Sequence, residues 1–239
     1  MKTKTLKEFV RSVIVELSQE DVASSKDPLD WLTAAYQDPK EWGAKDEFEA
    51  MLIAADKLNL KLSGEGSSRI VFDIKNNRVV KIARNNKGIE QNKLEASAGR
   101  DPQVERILAS VWEFSDDFSW VVADKVEPLE NGDGAIAEKI VGISWNEVRD
   151  LVSAGANKEN AVTSIEGGET KTKKTSGKPG VGCLKEDSFL SALDYFMTRY
   201  EGLLPGDIAK LSSWGITEKG CLVLLDYGIT IKKFRELYK

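Results

Sequence analysis

Between Leu60 and Ala83 the chain reverses direction so often that an antiparallel sheet is the natural way to hold it. Runs at about 59–64, 69–74 and 78–83 read as short strands separated by turn residues. Gly64 and Gly66 punctuate the first turn, and Asn76-Asn77 fits a tight hairpin because asparagine tolerates positive φ. Residues 86–98 then read as a helix carrying Glu90 and Glu95. Val111 to Phe114 and Trp120 to Val122 read as two more strands around Ser115-Asp116-Asp117. The expectation is five antiparallel strands with one helix inserted after the third, and an α+β class for the whole.

Upstream, Leu6, Phe9, Val10, Val13, Ile14 and Leu17 recur at helical spacing. Asp27-Pro28 reads as a cap followed by proline at the first helical position, and Phe48, Met51, Leu52, Ala55 and Leu58 form another stripe. Residues 1–58 are therefore expected to be a helical extension. Its apolar stripes would pack on the following domain, or the first helix would dock a partner. Downstream, 144–154 reads as helix. A stretch at about 155–182, rich in Gly, Lys, Thr, Ser and Asn, reads as a mobile insertion that buries too little to offset ordering. Phe189, Leu190, Leu193, Phe196, Met197 and Tyr200 mark a strong helix. Two strands follow, at Trp214 to Thr217 and Cys221 to Leu225, joined by Glu218-Lys219-Gly220, and a last short helix is expected from about 231.

Composition removes several classes of function. The 239-residue chain carries a net charge of −5, which argues against a general nucleic-acid or acidic-membrane binder. No apolar run approaches the ~20 residues of a membrane span, and Met1 to Glu20 lacks the continuous apolar core of a secretory signal. There is no histidine, so imidazole bases, histidine triads and histidine metal sites are excluded. Chemistry is left to carboxylates, lysine or a bound metal. Cys183 and Cys221, far apart and without metal-type spacing, read as two reduced thiols of a cytosolic protein.

Three fragments carry the site. At Gly64-Glu65-Gly66, small residues would let backbone N–H groups approach phosphate without a Cβ clash. Lys81 follows Val79-Val80 on a strand expected to be buried, where an ammonium needs a charged partner. Val223-Leu224-Leu225 runs into Asp226, a carboxylate suited to Mg²⁺, and Gly228 permits the turn behind it. Asp207 lies nineteen residues before Asp226.

With these residues in this order, the chain resembles the protein-kinase-like superfamily over roughly 60–239. It looks most like the small kinase-like proteins of tailed phages. Gln91-Asn92-Lys93-Leu94-Glu95 and Ser213-Trp214-Gly215-Ile216 carry that narrower likeness. The resemblance implies a two-lobed fold: an N-lobe over 59–126, a truncated C-lobe over 127–239, and the N-terminal helical extension before them. It implies ATP and Mg²⁺ as ligands. Gly64, Gly66 and Val71 would lie against the nucleotide, and Lys81 would contact phosphates while paired with Glu95, Glu90 being the alternative. Asp226 and Ser213 would hold metal, and Asp207 would orient an acceptor hydroxyl.

The departures are as informative. Arg69 stands where the third glycine is expected. No His-Arg precedes Asp207, and Ser212 or Ser213 replaces the metal-binding asparagine. Eleven residues follow Gly228, too few for an activation segment and substrate helices. The resemblance thus implies either phosphoryl transfer to a hydroxyl acceptor, or a catalytically impaired pseudokinase serving as a scaffold. In the second case the partner would be a protein, such as a phage structural protein. A small-molecule kinase resembling antibiotic phosphotransferases is a weaker third option. The locations implied are the host cytoplasm or the virion.

Overall fold

The computed structural model describes residues 27–130, 132–157, 183–184, 186–200, 203–228, 230 and 236. The helix read at Leu6 to Leu17 lies outside the described residues, as do 158–182 of the expected insertion and all of the last helix from about 231 except residue 236.

Helix α1 (Pro28–Gln37) begins where the sequence places a cap: Asp27 Oδ1 accepts from Leu29 N at 3.0 Å, with Pro28 in the first turn. Helix α2 (Glu47–Lys57) is capped by Asp46, which accepts from Glu49 N at 2.8 Å. Together they form a hairpin. Leu29, Leu32 and Ala35 of α1 and Ala50, Met51, Ala54 and Ala55 of α2 are buried.

The hairpin covers one face of a five-stranded antiparallel sheet, ordered β1-β2-β3-β5-β4. Its strands are β1 (Lys61–Glu65), β2 (Arg69–Ile74), β3 (Arg78–Ala83), β4 (Val111–Phe114) and β5 (Trp120–Asp124). Asn76 and Asn77 make the β2–β3 turn with φ of 63° and 54°. Strict alternation gives the sheet two characters. Ile70, Phe72, Val80, Ile82, Trp120 and Val122 join α1 and α2 in one core. On the opposite face a row of cross-strand partners runs Gly64–Val71–Lys81–Val121. Helix α3 (Asn86–Ala98) packs on β3, β4 and β5.

A second core lies beyond this sheet. Helices α4 (Gly134–Val141), α5 (Trp145–Asn157), α6 (Glu186–Arg199) and the single turn α7 (Pro205–Ile208) surround a small antiparallel sheet. That sheet is β6 (Glu127–Pro128), β7 (Trp214–Ile216) and β8 (Leu222–Leu224), in that order. Trp214 is its centre, flanked by Trp145 and Phe189 and donating its indole N–H to Ile208 O at 2.7 Å. Leu94 and Ala98 of α3 pack into this core, and Ala109 N donates to Leu224 O at 3.0 Å. The protein is thus α+β with antiparallel sheets. No helix among the described residues is long and apolar enough to cross a membrane.

Two sequence expectations are corrected. Cys183 and Cys221 are joined in a disulfide, with Cα atoms 4.9 Å apart, and are not two free thiols. The fold brings the entry of α6 against the β7–β8 turn, which linear spacing did not reveal. The helix read as 144–154 continues to Asn157, into the start of the stretch read as insertion.

Candidate functional site

The alternating face of β2 and β3 that turns away from α1 and α2 places Arg69 and Lys81 beneath α3. Both are buried, and both find the same carboxylate. Lys81 Nζ donates to Glu95 Oε2 at 2.7 Å, and Arg69 Nη1 donates to Glu95 Oε1 at 2.6 Å. Of the two glutamates that the sequence offered as partner to Lys81, the fold selects Glu95. It lies three residues after Asn92, on the buried face of α3. Asn92 Nδ2 donates to Phe118 O at 2.8 Å, and its Oδ1 accepts from Arg69 Nη1 at 3.3 Å. The amide therefore orients the guanidinium and ties α3 to the β4–β5 turn.

The third segment arrives from the far end of the chain. Lys81 Nζ donates to Leu225 O at 2.8 Å, and Arg69 Nη2 donates to Asp226 Oδ1 at 3.1 Å. The same Oδ1 accepts from Gly228 N at 3.2 Å. Asp226 is the solvent-facing member of the group, its side chain 55% exposed against 4% for Glu95. Gly228 has φ of +67°, and a Cβ there would stand 2.6 Å from Asp207 Oδ2. The glycine thus serves two purposes, turning the chain and admitting the Asp207 carboxylate beside the Asp226 turn. Asp207 also accepts from Lys210 Nζ at 2.8 Å.

Charge accounting explains the electrostatics. Burial works against both cations. At Lys81 desolvation dominates: it drives the ammonium pKa below its ordinary value despite Glu95, and Arg69 adds to the lowering. At Arg69 burial is outweighed by Glu95 and Asp226, so the guanidinium is held more firmly than usual. Burial would raise Asp226, but Arg69 and Lys81 overcome it and hold the carboxyl below the ordinary range. Two cations and two carboxylates leave the network formally neutral.

The glycine turn is built differently from the sequence expectation. Gly66 N is bonded to Arg69 O at 2.8 Å, so this N–H closes the turn. Gly64 lies within β1 opposite Val71, beside a register shift. Arg84 Nη1 donates to Gly66 O at 2.9 Å, Asn85 Nδ2 donates to Ser67 O at 3.1 Å, and Ser68 Oγ donates to Gln91 Oε1. The turn is therefore pinned to the end of β3 and to α3.

A nucleotide polyphosphate fits the donor set. An ammonium carries three N–H donors and a guanidinium five; Lys81 uses two of its own, and Arg69 three. A metal fits less well. Asp226 offers a partly exposed carboxylate, but no group of three or more Asp, Glu or Cys side chains among the described residues is placed to hold a metal ion. Ser213 is buried beside Asp226, and its carbonyl accepts from Leu225 N and Asp226 N at 2.7 and 3.3 Å. The structure therefore gathers Lys81, Glu95 and Asp226 in one cluster, with Ser213 and Asp207 against the Asp226 turn and Val71 paired to Lys81. Arg69, seen in the sequence only as a missing glycine, is the member that sequence reasoning missed. Its signal was parity: 69 and 71 share the face of β2 that pairs with Lys81. No family model matches this chain, and no curated protein does.

Proposed function

We propose that this protein binds ATP at the Lys81–Glu95–Asp226 cluster, as a kinase-like domain, and transfers phosphate to a hydroxyl acceptor. The observation that carries the reading is the convergence of three distant segments. A strand lysine, a helix glutamate and a carboxylate after an apolar strand meet at one point, beside a glycine turn. The order of the five-stranded sheet, with α3 inserted after β3, supports the same reading.

Bound ATP would supply the phosphoryl group, and any Mg²⁺ would rest on Asp226 with Ser213 alongside. The chain's own residues do the positioning. Lys81 and Arg69 offer donors to the phosphate oxygens, and Glu95 keeps both oriented. Asp207 would take the proton of the acceptor hydroxyl as that oxygen bonds to the γ-phosphorus and the bond to ADP breaks.

A second reading, a nucleotide-stabilised interaction module without turnover, is favoured by the Arg69–Asp226 contact, which already engages the expected metal ligand. Of the two locations the resemblance implies, the Cys183–Cys221 disulfide favours the virion over the reducing host cytoplasm. The test is thermal stability with and without ATP. Saturation at 100 times the dissociation constant adds about 2.7 kcal/mol, and Lys81→Ala removes the gain. Asp207→Asn then separates the readings. It keeps the stabilisation and loses ATP turnover if the protein is an enzyme, whereas identical turnover in both proteins supports the module. No stabilisation of the wild type at millimolar ATP would sink both.

A further inference from the structure

We propose that Arg69 is the phosphate anchor of this site, a resident cation standing in for a metal ion, so that nucleotide binding depends only weakly on Mg²⁺. The inference rests on the nucleotide reading above and deepens it. Arg69 is a buried arginine, its side chain 8% exposed, aimed by three acceptors from two distant segments: Glu95 and Asn92 on α3 and Asp226 after β8.

Glu95 does not need it for neutrality, since Lys81 already pairs with that carboxylate at 2.7 Å. What Arg69 adds is a second positive charge. Without it, Lys81, Glu95 and Asp226 sum to one negative charge, and a polyphosphate would be repelled until a metal arrived. With it the cluster is neutral and retains N–H donors on both cations. A guanidinium presents those donors in a planar fork suited to phosphate oxygens.

The metal side of the site is correspondingly thin. Asp226 Oδ1 is already engaged by Arg69 Nη2 and Gly228 N. No group of three or more candidate ligands exists among the described residues. Ser213 stands where an amide ligand was expected, and the contact it makes to the Asp226 turn is through its backbone carbonyl. The departure at position 69 and the departure at position 213 are then one change: a cation supplied by the chain where a metal ligand has been lost.

The experiment is calorimetric titration of ATP into the full chain, once in excess MgCl₂ and once in EDTA. The expected dissociation constants agree within about threefold for the wild type. Arg69→Met should weaken binding in EDTA on the order of tenfold or more, the scale of a hydrogen bond to a charged group, with a smaller loss in MgCl₂. Arg69→Lys should recover part of the metal-independent affinity. Wild-type affinity that falls by more than about tenfold in EDTA overturns the anchor while leaving the nucleotide reading intact. Equal losses for Arg69→Met in both buffers also overturn it. Absence of ATP binding in either buffer overturns the nucleotide reading, and the anchor with it. Should Arg69→Met not fold, the wild-type comparison and Arg69→Lys decide the matter alone.

Discussion

Glu95 is the residue on which the buried network depends, because it is the carboxylate that both buried cations share. Removing one cation leaves it paired; removing the carboxylate leaves two cations facing each other. Glu95→Gln should therefore cost about 3–5 kcal/mol, the scale for breaking a buried pair. Lys81→Met should cost clearly less, because Arg69 still satisfies the glutamate. Urea unfolding of the two variants checks the order, and a reversed order would show that Arg69 does not share the load. A pair at the edge of the sheet gives a pH-dependent case. Lys125 Nζ donates to Asp73 Oδ2 at 2.7 Å, and this bond holds the Asp73 carboxyl below its ordinary 3.8. The folded state then binds fewer protons than the unfolded chain in that window. The stability from the pair is present above pH 3.8 and lost as pH falls through the lower folded value. Wild type and Lys125→Met should differ by about 0.5–1 kcal/mol at neutral pH and converge in acid. A gap that persists after the Asp73 carboxyl has been protonated would assign the effect to packing of the lysine stem.

Among the elements, α3 is the one whose placement sets the site. Its first turn lies so close to the glycine turn that a Cβ at Gly88 would collide with Ser68 O, and Ala83 lies at 3.0 Å. In an exposed helix interior Gly→Ala gains about 1 kcal/mol. Here the sign should reverse, with Gly88→Ala losing stability in chemical denaturation and weakening ATP binding as α3 is pushed off the sheet. A stabilised Gly88→Ala would mean the helix shifts freely. The strands and α3 were legible in the sequence because period-two alternation and turn residues are local signals. So was the need for a carboxylate beside Lys81, since a lysine on a buried strand demands one; the sequence offered both Glu95 and Glu90, and the preference for Glu95 came from the resemblance. Arg69 with Asp226 was not legible. They are 157 residues apart in sequence, and no periodicity reports a contact of that range. Helix α4 was not read in the sequence: Glu138 and Lys139 interrupt the apolar residues Ala135, Ile136, Ala137, Ile140 and Val141, and Gly142 at φ +87° closes the helix. The disulfide was read wrongly for the same reason of range, because spacing alone does not show which turns the fold brings together.

At the level of the whole molecule, the disulfide and α3 hold the second half in place by different means. The Cys183–Cys221 bond closes a separation of 38 residues that includes α6, α7 and β7. Chain entropy assigns a loop of this size about 3–4 kcal/mol. Cys221→Ser, or reduction of the wild type, should lower the unfolding free energy by that amount, and an unchanged midpoint on reduction would show that the covalent link adds nothing to the packing around Trp214. Helix α3 acts without covalent help. It gives Leu94 and Ala98 to the core around Trp214, while Asn92 and Glu95 on the same helix reach the sheet residues Arg69 and Lys81. Neither core can lose its structure without uncovering α3. Heating should consequently produce one calorimetric peak whose measured and van't Hoff enthalpies agree, so that the nucleotide site persists or vanishes with the protein as a whole.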